Sequence, residues 1–166
     1  MGLTITGYCC LEAVESPRLD TAGDPLDSWV VRFRDAPHYP EHSAGLDTSR
    51  AYRFLNTYEF DVSYVDFEIW REQLAKFAGY PAVKKCGHVR HVYGAQQVTS
   101  GPFRELLDFS MTEGTIGPKV SRKLCEDFDR FMVSVPIQER RLFAWLFKEC
   151  YLVFSIAQHD GAVKFH

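Results

Sequence analysis

Residues 3–14 alternate between apolar and polar positions. Leu3, Ile5, Cys9, Leu11 and Ala13 share one face, and Thr4, Thr6, Tyr8, Cys10 and Glu12 share the other. That period of two predicts a half-buried strand, with Gly7 as a candidate bulge. Residues 29–34 predict a second strand with Trp29, Val31 and Phe33 inward and Arg32 and Arg34 outward. Residues 51–60 predict a third, with Tyr52, Phe54, Tyr58 and Phe60 opposite Arg53, Thr57 and Glu59. Three strands joined without helices predict an antiparallel meander. The connections, 15–28 and 35–49, each carry two prolines and read as polar loops.

After residue 60 the period changes. Ser63 is placed to cap a helix whose Phe67, Trp70, Leu74 and Phe77 fall on one face; Gly79 ends it and Pro81 prevents its resumption. Residues 80–101 read as irregular, with a short strand at 88–93, and residues 103–109 suit a short helix. The segment 110–117 reads as a turn between helices. Pro118 suits the first position of the next helix, which presents Val120, Leu124, Phe128 and Phe131. Residues 137–158 predict the longest helix, apolar on several sides and therefore central. Gly161 is expected to cap it, and residues 162–165 to return as an edge strand. Strands first and helices second predict one α+β domain over residues 1–166, an antiparallel sheet from the N-terminal third packed on three main helices in two layers.

The 166 residues are 46% hydrophobic, with Phe 13, Tyr 8 and Trp 3, enough aromatic area to build a real core. Lys plus Arg number 19 against 22 Asp plus Glu, and a formal net charge of −3 gives no general hold on nucleic acid. Cys9, Cys10, Cys86, Cys125 and Cys150 make an odd count without disulfide spacing, which points to a reducing, cytoplasmic compartment. Residues 1–16 lack the pattern of a signal peptide. Residues 142–157 carry Lys148 and Glu149 at their centre, which argues against a membrane span.

The densest chemistry lies at Cys86-Gly87-His88-Val89-Arg90-His91. Thiolate and imidazole suit zinc, but this spacing matches no common zinc pattern, and Lys84, Lys85 and Arg90 would repel a cation. Neither a metal nor a cofactor is expected. A Cys–His nucleophile pair lacks an orienting partner. Guanidinium and ammonium donors better suit an anion, so Lys85, Arg90, His91 and Glu113 are the candidate ligand residues, in a pocket between 84–93 and 110–117. The run from Ser110 to Gly117 lacks the Gly-Lys-Ser/Thr ending of a phosphate loop, and its glycines and hydroxyls suit a turn.

Residues 64–81 (YVDFEIWREQLAKFAGYP), 102–131 (PFRELLDFSMTEGTIGPKVSRKLCEDFDRF) and the ending DGAVKFH resemble a group of small uncharacterised proteins from bacteria and their phages. In that group the turn before the helix often carries Asp-Cys-Glu-Gly. Here it reads Met111-Thr112-Glu113-Gly114, keeping the glutamate and glycine and lacking the acid and thiol. The resemblance spans about the last hundred residues, implies a small cytoplasmic domain of bacterial or phage origin, and carries no catalytic residue.

With no reaction motif, the leading expectation is a non-enzymatic binding protein of the inhibitor or immunity type. Its acidic loop residues, among them Asp20, Asp24, Asp27 and Glu41, would meet a basic protein partner. The alternative is a protein that binds or sequesters a small anionic ligand such as a nucleotide, or a minor hydrolase.

Overall fold

The computed structural model describes residues 2–109, 113–135 and 141–166. Ser110, Met111 and Thr112, and the predicted helix start at 137–140, lie outside them. The architecture is α+β, with antiparallel sheets and three main helices.

The first alternating segment forms β1 (Gly2–Cys9) and β2 (Glu12–Val14), divided at Cys10, whose φ is +55°. Chain 51–63 divides in the same way into β4 (Ala51–Arg53) and β5 (Asn56–Ser63). The two segments form one bent antiparallel ribbon. β1 pairs with β5 from Gly2↔Ser63 to Cys9↔Asn56, and β2 pairs with β4 from Glu12↔Arg53 to Val14↔Ala51. The unbroken register excludes the expected bulge at Gly7. β3 (Val30–Arg32) pairs with β4 in a small sheet ordered β2-β4-β3. The predicted meander is therefore replaced by two sheets that share a corner. Beyond that corner Trp29 is exposed rather than inward and leans on Phe54, with ring centroids 5.8 Å apart.

The larger sheet is completed from the far end of the chain. β8 (Gly114–Ile116) and β9 (Ala162–Phe165) give the order β5-β1-β9-β8. The expected edge strand 162–165 is thus central, with Ile5↔Phe165 on one side and Ile116↔Val163 on the other. The expected turn before Pro118 contains a buried strand. Its Gly114, at φ +137°, lies where a Cβ would stand 2.8 Å from that of Ala36.

The helices pack on one face of this sheet. α1 (Tyr64–Phe77) begins as its sequence predicts, the Ser63 hydroxyl accepting from the N–H of Asp66 at 3.0 Å. α4 (Pro118–Met132) and α5 (Arg141–Ala157) follow, and Leu3, Ile5, Phe60, Val62, Ile116, Val163 and Phe165 meet them in the main core. Aromatic edges interlock there: Phe128 lies 4.8 Å from Phe147, and Phe103 lies 4.9 Å from Phe128. Trp70 is wholly buried and donates its ring N–H to the carbonyl of Phe143 at 3.3 Å.

On the opposite face Tyr8 and Ala162 pack with Val31, Phe33 and Tyr52 of the small-sheet region. Segment 35–49 is not a plain exposed loop. Its short 3-10 turn, Pro40–Ser43, buries His42 between Tyr39 and Phe109, and the His42 carbonyl accepts from Gly117 N–H at 2.8 Å.

Two outcomes test this arrangement. A central strand cannot be removed without leaving two ladders unpaired, so deleting residues 162–166 should abolish cooperative urea unfolding; loss of an edge strand would leave it intact. Burial holds the His42 imidazole below its ordinary value of 6.5. The unfolded chain therefore takes up a proton first as pH falls. Stability should be full above about pH 6.5 and decline below it toward the depressed value, a slope that His42→Gln should flatten in urea midpoints measured across pH.

Candidate functional site

The expected cluster at 84–93 is a hairpin followed by a helical turn. β6 (Val83–Lys85) and β7 (His88–Arg90) are joined by Cys86-Gly87, whose φ values of +50° and +83° make the two-residue turn that matches strand twist. α2 (His91–Gln96) follows directly. The Arg90 guanidinium is bonded to Glu68 and lies 3.4 Å from Glu72, both on α1. Glu72 also accepts from the N–H groups of His91 and Val92, at 2.6 and 3.1 Å, and so caps α2. His91 Nδ1 stands 2.6 Å from the Tyr80 carbonyl oxygen, and the Lys85 ammonium lies 5.5 Å from the centre of the Tyr93 ring. Cys86 and His88 are exposed. Among the described residues, no group of three or more His, Cys, Asp or Glu could hold a metal ion. Arg90 borders a shallow recess with Val65, Glu68, Ile69, Glu72 and Gln73, whereas Glu113 lines a different hollow.

The loop acids have local roles as well. Asp20 accepts from the N–H groups of Ala22 and Asp24 at 2.8 and 2.9 Å, and Asp27 accepts from Trp29 N–H at 2.9 Å. Asp24 faces Arg34 at 3.7 Å, and Glu41 is exposed beside His42. A cleft of about 450 Å³ beside the loop contains Arg32 and Arg50 as well as Glu15, so this surface is mixed in charge rather than acidic.

The polar face of the larger sheet holds the most distinctive chemistry. Register sets Glu59 opposite Thr6, Thr6 opposite Lys164, and Lys164 opposite Thr115, a polar row across all four strands. Thr6 lies 3.5 Å from the Glu59 carboxylate and 3.0 Å from His166 Nε2. Above the row, a hollow of about 180 Å³ is lined by Asp24, Arg34, Glu113, Thr115, Lys164 and His166. The Thr115 hydroxyl is fully buried and has no hydrogen-bond partner among the described residues. Burial holds the Lys164 ammonium below its ordinary value; Asp24 opposes this effect and Arg34 adds to it. The His166 imidazole is lowered first by burial and then by Lys164, with Glu59 and Asp61 acting the other way.

Of the residues expected from sequence, Glu113 and Asp24 meet in this hollow, while Lys85, Arg90 and His91 lie in the hairpin region. Arg34, Thr115 and Lys164 were not singled out as ligand residues by sequence. The available signal was the lone lysine in the otherwise apolar strand Ala162–Phe165. A charge at that period marks a strand face that is not core.

No family model matches this chain, and the searches of curated proteins and solved structures likewise yield no match. Among the described residues, no helix is long and apolar enough to cross a membrane.

Glu72→Ala removes the cap of α2 and one of the Arg90 carboxylates. It should cost about 1–2 kcal/mol in urea unfolding and speed amide exchange over residues 83–97, while Lys85→Ala leaves both unchanged.

Proposed function

We propose that this chain is a non-enzymatic binding protein for a small anion, held in the hollow over the polar sheet face. The observation that carries the reading is the Thr115 hydroxyl, buried without a partner in the lining of a hollow that also holds Lys164 and Arg34 beside the carboxylates of Asp24 and Glu113. A buried unsatisfied hydroxyl costs about 1–3 kcal/mol, and a bound oxyanion would accept its hydrogen bond. In its ammonium form Lys164 supplies a point charge, and Arg34 a planar fork suited to a carboxylate or phosphate oxygen pair. At about 180 Å³ the hollow holds about six water-sized volumes. It suits a small anion or the phosphate end of a nucleotide, not the whole nucleotide.

A second reading is capture of a protein partner in the manner of an inhibitor or immunity protein, in the cytoplasm of a bacterium or of a phage-infected cell. It is favoured by Trp29, which packs on Phe54 and donates its backbone N–H to Asp27, and by Leu55, the two being 58% and 72% exposed. The partner would present basic residues around an apolar pocket. A stoichiometric partner recovered from the native host and lost with Trp29→Ala would support it.

The anion reading is tested by thermal unfolding with phosphate, glycolate and chloride at constant ionic strength. Phosphate or glycolate should raise the midpoint, and Arg34→Ala or Lys164→Gln should reduce that shift at least several-fold. Thr115→Val should unfold no earlier than the parent and still bind more weakly. Equal shifts with chloride, or shifts untouched by these variants, would refute the site.

A further inference from the structure

We propose that Lys164 captures its ligand covalently, as a Schiff base with a small oxo acid; this rests on the anion-binding reading of the same hollow. A carbonyl carbon is attacked only by an unprotonated amine, and a surface lysine is almost wholly protonated near neutral pH. Lys164 is placed differently. It stands on the central strand, between Thr6 and Thr115, with its side chain partly buried. Among the described residues it forms no ion pair with a carboxylate, in contrast to Lys123, which is held by Glu105 and Asp127 at 2.6 and 2.9 Å. The neighbouring Arg34 disfavours a second positive charge, and Asp24, the carboxylate that would favour one, faces Arg34 at 3.7 Å. Desolvation is one means by which a lysine becomes a nucleophile, and at Lys164 burial is the largest influence, opposed by Asp24 and assisted to a lesser degree by Arg34.

The rest of the hollow defines the ligand. Arg34 offers parallel donors to a carboxylate. The volume admits a chain of only a few heavy atoms. An anion that carries a carbonyl carbon beside its carboxylate places that carbon next to the amine once the carboxylate is bound. In the reaction, the Lys164 nitrogen pair forms the new C–N bond as the carbonyl π pair moves to oxygen. One N–H proton passes to that oxygen, giving a carbinolamine. The hydroxyl then takes a second proton from solvent at the open rim and leaves as water, giving the protonated imine. No oxidant or further reactant is needed, and hydrolysis releases the ligand by the reverse path.

The experiment uses the full chain with sodium glyoxylate and cyanoborohydride, read by intact mass and peptide mapping. Glycolate, which has the carboxylate but no carbonyl, serves as competitor. The expected result is one dominant reduced carboxymethyl adduct at Lys164. It should form at least ten-fold faster than adducts at Lys84 or Lys85, be suppressed by glycolate, be absent from Lys164→Gln and persist in Lys84→Ala/Lys85→Ala. Adducts scattered over exposed lysines would overturn the covalent inference. If glycolate still raised the unfolding midpoint, anion binding would stand without it. No preference for Lys164 together with no shift from glycolate or phosphate would remove both.

Discussion

Helix α5 crosses the larger sheet so closely that two positions have no room for a side chain. A Cβ at Gly7 would stand 2.7 Å from the Val153 carbonyl oxygen, and one at Gly161 would stand 2.1 Å from that of Tyr8. Neither glycine has a positive φ, so each is required by close approach and not by turn geometry. The first lets α5 settle on β1. The second lets the chain reverse and enter the sheet beside the same strand, where Leu11 N–H donates to the Asp160 carbonyl at 2.7 Å. Everything distal to that reversal depends on it. Because β9 enters between β1 and β8, Val163 and Phe165 fall in the helix-facing core, and Ala162, Lys164 and His166 fall on the opposite face. The polar hollow is a consequence of how the longest helix is seated.

The helices were readable from sequence because their information is local. Ser63, the Phe67–Trp70–Leu74–Phe77 face and Gly79 define α1 within one short window, and Pro118 opens α4 in the same way. Strand pairing is not local. A period of two shows which residues share a face and nothing about which strand lies alongside. The first and third predicted strands do pair, but as a ribbon bent at Cys10 and Phe54, so Tyr52 and Phe60 enter different cores. β8 was hidden for another reason. Gly114-Thr115-Ile116 has turn composition, and it becomes a strand because β9 offers a ladder and Ala36 and Phe109 close over the glycine. Tertiary context overrode composition there.

The candidate residues divide by the same rule. Lys85, Arg90 and His91 attract notice because they are adjacent in sequence, and the structure uses that adjacency locally, fastening a hairpin and a six-residue helix to α1. The hollow assembles Asp24 and Arg34 from the segments before and after β3, Glu113 and Thr115 from the residue before β8 and β8 itself, and Lys164 and His166 from β9 and the residue that follows it. No window contains more than a fragment of it. Glu113 could be anticipated only as a lone carboxylate, because what gives it neighbours is the pairing of β8 with β9.

A lysine at the middle of a four-stranded sheet is a poor choice for stability alone. A domain of this size is stable by only about 5–15 kcal/mol. Partial desolvation of an ammonium and an unsatisfied hydroxyl at Thr115 together draw on a sizeable part of that margin. Valine at both positions would suit the strand and would join the nearby cluster of Tyr8, Val31, Phe33 and Ala162. The contrast with Arg71 is instructive. Arg71 is also buried, with its pKa lowered to about 10 by desolvation, yet its guanidinium is anchored on the Leu107 carbonyl. It acts as a brace between α1 and the short helix α3 (Arg104–Asp108). Lys164 braces no comparable pair of elements among the described residues. At Lys164 and Thr115 the polar row therefore carries a stability cost that no ion pair or hydrogen bond among the described residues offsets.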